Sequence, residues 1–365
     1  MRRRIVEHIA PPAAARIGRR ELLAMLPALA AVRTGRAAEV SFERIDTHNH
    51  IHRSAPILVE TMQKEGWRGL SICDAREIGD QVSILPQMIA GTIQFHRESK
   101  GRWAWATTFD ARDFGKPGFA ARVIGDLERD FARDAIAVKI WKNVGMGIRS
   151  KSGEYLLPDD ASLSPIYEAI QKAGKTLISH LAEPDGMWLA LDDPKNTETG
   201  YLKNHPEWHM YRKTDVPSKE TILAARDRVI ARYPKLRVIG CHLGSNEEDL
   251  DRLSKRLDAM PNFVVDVASR VRYLMAGERE KVRQFVLRYQ DRLLYATDFT
   301  LGESSDEARA AQSLKATHDR EWNYFAGGET VEARGRQVQG LALPESTLRK
   351  IFRENAVRWL PGILG

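Results

Sequence analysis

Ala135-Ile136-Ala137-Val138-Lys139-Ile140-Trp141 reads as a strand buried on both faces. Alternate side chains of an extended chain point to opposite sides. One side therefore carries Ala135, Ala137, Lys139 and Trp141, and the other Ile136, Val138 and Ile140. The branched side suits a layer of helices; the small side with its lysine suits a crowded barrel axis. Seven further apolar runs share this character, at 42–48, 70–74, 103–109, 176–180, 237–242, 263–267 and 293–298. Between them lie amphipathic stretches with helical spacing, among them 81–98, 119–131, 165–173, 219–232, 247–258 and 278–289. Strands alternating with helices imply a parallel sheet. Eight such units predict an α/β fold, a single-domain (β/α)8 TIM barrel over residues 39–365. Its long loops follow the fourth strand (143–160) and the fifth (181–218), and a closing helix is expected over 344–360.

Composition narrows the function. The chain carries a net charge of +7 and 43% apolar residues, an ordinary globular balance. Residues 1–38 hold eight Arg, two Glu and neither Lys nor Asp, so +6 of that charge lies there and the body is nearly neutral. No basic stripe or RNA-binding motif stands in the body, which sets nucleic acid aside; a small-molecule substrate is the expected partner, and an oligomer is left open. The first 38 residues place Arg19-Arg20 ahead of an apolar run from Leu22 to Val32, with small residues at Gly35, Ala37 and Ala38. This pattern resembles a bacterial twin-arginine export signal, although Pro27 interrupts the run and Arg36 is poor beside a cleavage site. The expected location is periplasmic or exported, the alternative being a cytoplasmic protein with an unstructured N-terminus. An apolar run of about eleven residues falls short of the roughly twenty that span a bilayer, so no stable membrane insertion is expected. Cys73 and Cys241 lack metal-ligand or redox spacing and read as buried strand residues. Cys241, next to His242 in a strand, is expected to face the helices.

The chemistry gathers at strand ends. In Ile45-Asp46-Thr47-His48-Asn49-His50-Ile51-His52, alternation puts His48 and His50 on one face, with Asp46 one step deeper. Two imidazoles presented from a rigid strand are half of a divalent metal site. In the sixth strand Val238, Gly240 and His242 share a face, and in the eighth Leu294, Ala296 and Asp298 do. With Lys139 and His180, six polar side chains then stand at the C-terminal end of the barrel, where such folds build active sites.

Residues 45–50 (IDTHNH), 138–142 (VKIWK), 178–184 (ISHLAEP), 239–245 (IGCHLGS), 294–298 (LYATD) and 348–360 (LRKIFRENAVRWL) together resemble the amidohydrolase superfamily, specifically its amidohydrolase-2 branch. The resemblance covers roughly residues 42–360. It implies a metal-dependent hydrolase that activates water to cleave a C–O or C–N bond of a lactone, ester or amide. The alternatives are a decarboxylase or hydratase of the same superfamily, or an exported binding protein without chemistry. The implied ligands are His48, His50, Lys139, His180, His242 and Asp298, holding zinc or possibly manganese, with Asp298 as the proton acceptor. Two arrangements stay open. If Lys139 is carboxylated, it bridges two ions, one on His48, His50 and Asp298 and the other on His180 and His242. If it is not, His48, His50, His180 and Asp298 hold one ion and His242 stabilises the attacking water. Lys142, Arg149, Arg270 and Arg272 are candidates to bind a substrate carboxylate. Glu183 is a further substrate-side candidate and, with Asp74 and Asp266, a group that could orient a histidine. Trp141, Trp188, Trp208 and Tyr211 could wall the pocket. His52, His205 and His209 are assigned substrate or packing roles.

Overall fold

The computed structural model describes residues 41–333 and 335–365. The twin-arginine motif and its apolar run lie outside them. Nine parallel strands are present: β1 (Arg44–Ile51), β2 (Trp67–Ile72), β3 (Trp103–Thr108), β4 (Ala135–Ile140), β5 (Thr176–Ser179), β6 (Arg237–Gly240), β7 (Phe263–Asp266), β8 (Leu293–Leu294) and β9 (Phe299–Leu301). They pair in the order β8-β7-β6-β5-β4-β3-β2-β1-β9. Of the strand expected over 293–298 only Leu293–Leu294 is regular, and β9 lies just beyond that range. Residues 295–298 carry the chain from the edge at β7 to the edge at β1 and close the ring. Thr47 N donates to Tyr295 O at 3.1 Å, and Asp298 N to His48 O at 2.9 Å, across the gap. The result is a (β/α)8 barrel.

Ile45, Leu70, Ile72, Ala106, Ile178 and Leu294 fill the barrel interior, and Trp359, Leu360 and Ile363 pack onto the same cluster. Thr176 Oγ1, at the start of β5, donates to Trp359 O, so the C-terminal segment plugs the N-terminal mouth and leaves the other end for the site. The expected closing helix is there, as Glu345–Arg349, a wider turn over Lys350–Glu354, and Asn355–Trp359. Outside β1 and β2, Trp67, Tyr295, Phe352 and Trp322 form an aromatic block with Tyr295 and Phe352 stacked at 4.4 Å. Truncating a buried ring of this kind to alanine costs about 3–5 kcal/mol.

Strand parity fails at three places, each for a local reason. Asp46 pairs with Gly69 but Asn49 with Ser71, so β1 spends three residues against two of β2. Ile45 therefore faces the axis and Asp46 faces the helix Glu307–Ala326, while His48 and His50 return to the axis beyond this bulge. Asp46 does not share their face. In β4 the register passes from Trp105–Ala135 to Ala106–Ala137, so Ala135 packs outward beside Trp105 while Ala137 and Lys139 face inward. In β6 it is Ile239 and Cys241 that face the axis, and Val238 and Gly240 that face out. Gly240 has to be glycine: a Cβ there would lie 2.6 Å from Phe263 Cζ. His242 still reaches the site because the chain leaves the strand through left-handed residues, His242 (φ 60°), Leu243 (φ 55°) and Ser245 (φ 57°).

The helix Glu307–Ala326 and the hairpin Thr330–Ala333 with Arg336–Gln339 were not anticipated. Asp306 starts the helix by accepting a hydrogen bond from Arg309 N at 2.8 Å. The loop 181–218 is built of short turns, Asp185–Trp188, Thr199–Asn204, Pro206–Trp208 and Met210–Arg212. Among the described residues, no helix is long and apolar enough to cross a membrane.

Candidate metal centre

His48 and His50 leave the end of β1 with their tautomers already set. His48 Nδ1 donates to Asp266 Oδ2 at 2.9 Å, and His50 Nδ1 donates to Ile72 O at 2.9 Å. A carbonyl or carboxylate oxygen can only accept, so each ring keeps its lone pair on Nε2. Both Nε2 atoms lie 3.4 Å from Asp298 Oδ1. Ser269 Oγ donates to Asp298 Oδ2 at 3.0 Å and fixes the carboxylate plane. The ligand atoms of these three residues fall within 4.8 Å of one another. His242 Nδ1 donates to Ala268 O at 2.8 Å, which again frees Nε2. Its ring lies 4.3 Å from that of His180 and 5.1 Å from that of His48. His180 Nε2 is buried and faces Glu183 Oε1 at 3.4 Å.

These groups are held in the protonation states that metals require. Burial keeps His48 and His242 neutral far below the usual histidine range, helped at His48 by Lys139 and at His242 by His180. Burial likewise brings His180 down to about 4. Burial opposes ionisation of Asp298, but the neighbouring His242, His50 and His48 outweigh it and hold the carboxyl well below the carboxylate range. Lone pairs turned toward one carboxylate, second nitrogens tied to fixed acceptors and a further buried neutral imidazole at His180 fit a divalent ion with nitrogen and oxygen ligands.

Lys139 stands at the centre of this group. Its side chain is fully buried, and Nζ lies 3.1 Å from His48 Nε2 and 3.1 Å from Cys241 Sγ. Cys241 thus lies against the site rather than facing the helices, and burial pushes its thiol up. Cys73 is buried and free.

The sequence matches the family model described as Amidohydrolase over residues 45–362. The chain belongs to the amidohydrolase-2 family of enzymes. No curated protein matches it. Among solved structures, this amidohydrolase is similar to 2,6-dihydroxybenzoate decarboxylase from Rhizobium (TM-score 0.50, 12% identity, 87% of this chain and 98% of that one). It is also similar to 5-carboxyvanillate decarboxylase from Sphingomonas paucimobilis (0.48, 14%, 88% and 99%) and 4-oxalomesaconate hydratase from Rhodopseudomonas palustris (0.45, 13%, 88% and 96%). Identities this low speak to the fold alone.

Above this histidine–aspartate cluster the chain opens a cavity of about 930 Å³. Several cations line it, but most are already neutralised. Lys142 is buried among the rings of Trp141, Tyr201 and Trp208, at 5.1, 5.2 and 4.8 Å, and pairs with Glu183 and Tyr201 Oη. Burial opposes its charge, but Glu183 and Tyr201 raise its pKa, so it stays an ammonium. Arg270 bridges Glu183 at 3.3 Å and Glu247 at 3.0 Å. Glu183, whose ionisation burial opposes, is held well below the carboxylate range by Lys142, His180 and Arg270. Arg272 pairs with Glu198 at 3.0 Å. Arg149 packs on the Tyr155 ring at 3.9 Å and lies outside the cavity lining. Of the loop residues, Trp141 and His205 line the cavity; His52 bonds Thr92 Oγ1, His209 bonds Leu189 O, and Trp188 bonds Pro217 O.

Arg76 and Arg320 are lining cations that sequence reasoning missed; Arg320 pairs with Glu321 at 3.4 Å, and Arg76 differs from it. Arg76 follows β2, lines the cavity, and donates Nε–H to Asp74 at 2.8 Å. Burial opposes the charge on Asp74, but His50 and Arg76 bring its pKa down to about 2. The terminal nitrogens of Arg76 have no hydrogen-bond partner among the described residues, and the side chain is 44% exposed. The available signal was the spacing Asp74-Ala75-Arg76 at a strand end, which lets a carboxylate and a guanidinium share a side.

Proposed function

We propose that this amidohydrolase is a metal-dependent hydrolase, cleaving a C–O or C–N bond in a lactone, ester or amide that also bears an anionic group. The observation that carries the reading is Asp298, an ionised carboxylate with one oxygen 3.4 Å from two histidine Nε2 atoms and the other held by Ser269. His48, His50 and Asp298 would hold one divalent ion, zinc or manganese, and His180 with His242 a second, with Lys139 between them. Bound there, the metal would lower the pKa of water toward neutrality and polarise the scissile carbonyl. Asp298 then accepts the water proton and returns it to the leaving group. Asp266 and Ile72 O keep the β1 imidazoles from rotating.

Lys139 supports the two-ion arrangement. A lysine ammonium at this depth would meet a histidine nitrogen and a thiol rather than a carboxylate. Burying a charge without a paired counter-charge is strongly unfavourable. After Nζ gives up a proton, its lone pair can attack carbon dioxide, and loss of the second proton leaves a carbamate anion whose charge the two ions would balance.

Arg76 positions the substrate. With Nε occupied by Asp74, the outer edge of its guanidinium is free to make a bidentate contact with a carboxylate. Arg76→Met is expected to raise KM about 10- to 100-fold with little change in kcat, the loss of a charge-assisted pair worth roughly 1.5–3 kcal/mol. Steady-state kinetics on the metal-loaded variant check it. The same open edge favours one second reading, decarboxylation of a ring carboxylate. Metal-loaded protein offered carboxylated lactones, esters and amides beside carboxylated phenols separates the two. Hydrolysis that a chelator abolishes is expected; carbon dioxide release without hydrolysis would replace the proposal with the second reading.

A further inference from the structure

Asp46 lies behind the metal centre. Its buried carboxylate takes four hydrogen bonds, from His48 N (3.3 Å) and Thr297 N (3.1 Å) on Oδ1, and from Thr297 Oγ1 (2.7 Å) and His318 Nε2 (2.9 Å) on Oδ2. Two of these donors are the backbone points that aim the ligands. His48 N belongs to the bulge of β1 that swings His48 and His50 to the axis. Thr297 N immediately precedes Asp298, whose φ of 67° is the left-handed turn bringing its carboxylate to those histidines. One carboxylate thus sets the histidine pair and the aspartate in a single frame. His318 reaches it from the helix Glu307–Ala326, with its ring stacked on Trp67 at 3.8 Å and 18°. The other ring nitrogen of His318, Nδ1, is buried with no hydrogen-bond partner among the described residues. An unsatisfied buried nitrogen is unfavourable, and keeping Nε2–H on Asp46 is what the fold gains from it.

We propose that Asp46 and His318 are positioning residues that set the affinity of the site for its divalent ion. They do so by fixing the β1 bulge and the turn at Thr297 relative to each other, touching neither ion nor substrate. The inference rests on the metal reading of the site and not on the reaction. Partners standing behind metal ligands typically change affinity by about 10- to 100-fold.

The test is the Zn²⁺ affinity of the whole protein, measured by competition with a chromophoric chelator, together with the melting temperature of the metal-free form. His318→Phe keeps the stack on Trp67 and removes the donor; it and Asp46→Asn are expected to weaken Zn²⁺ binding about tenfold or more. His318→Gln, which restores an N–H near the same place, is expected to stay within about threefold of wild type. A pair that is only structural would lower the melting temperature and leave Zn²⁺ affinity unchanged, and that result overturns the proposal. Should His318→Phe fail to fold, Thr297→Val removes a single donor to Asp46 and carries the same test. A loss of about threefold or more is expected there, and unchanged affinity overturns the proposal. Wild type that takes up no Zn²⁺ would overturn the metal reading and this role with it; tight wild-type binding beside unaltered variants overturns this role alone.

Discussion

Asp298→Asn is expected to lower kcat about 10³-fold or more while leaving most of the bound metal in place. Proton transfer by a positioned side chain is worth about 10²–10⁴ in rate, and an amide can neither accept the water proton nor hand it on. The geometry makes this a test of chemistry rather than assembly. The backbone around Asp298 is held independently of its carboxylate, by Asp298 N on His48 O and by Thr297 on Asp46. The asparagine oxygen can keep the position of Oδ1 facing the two Nε2 atoms, and its amide can face Ser269. Steady-state kinetics with elemental analysis of the same preparation read both quantities. A fully active variant would remove Asp298 from proton transfer; an inactive one stripped of metal would reduce it to a ligand.

Lys139→Met is expected to reduce bound metal from two ions per chain to one or fewer, and to abolish turnover without destabilising the metal-free protein. If Nζ is carboxylated, its loss removes a bridge between two ions. If Nζ is an ammonium, its loss removes only a buried cation whose contacts are His48 Nε2 and Cys241 Sγ. Replacing an ill-compensated buried charge by a hydrophobic side chain of similar volume is often neutral, or stabilising by about 1–4 kcal/mol. The melting temperature of the metal-free variant should therefore hold or rise. Metal content separates the two states of Lys139, and reconstitution with and without bicarbonate strengthens the comparison. Wild type binding one ion irrespective of bicarbonate would remove the bridging role.

The barrel and the six strand-end residues were legible because they depend on composition and order along the chain, which the strand–helix alternation displays directly. Face assignments were less legible, since a single inserted residue reverses every later side chain. The bulge after Asp46 and the extra residue at Ile136 leave no mark in hydrophobicity. The left-handed run at His242 brings a residue of the wrong parity to the right place. Among the pocket cations, Lys142, Arg270 and Arg76 look alike as sequence. What distinguishes them is where Glu183, Glu247 and Asp74 end up, and two of those pairs join different strand ends. The helix Glu307–Ala326, with mixed polarity and buried His318 and Glu321, lacked the clean apolar stripe that announces a surface helix.

If the proposed centre takes up its ion, the broken final strand would make that a late event in the life of the chain. Asp46 and Thr297 are separated by 251 positions, and the carboxylate at 298 meets His48 and His50 only when β9 docks on β1. Contacts spanning so much sequence form slowly because a long loop has to be closed before they are rewarded. A nascent or partly folded chain can display His48 and His50 side by side, but not the three-residue ligand cluster. Tight divalent binding at the proposed centre would therefore report ring closure. Stopped-flow refolding in the presence of a metal indicator would time the last step of barrel assembly.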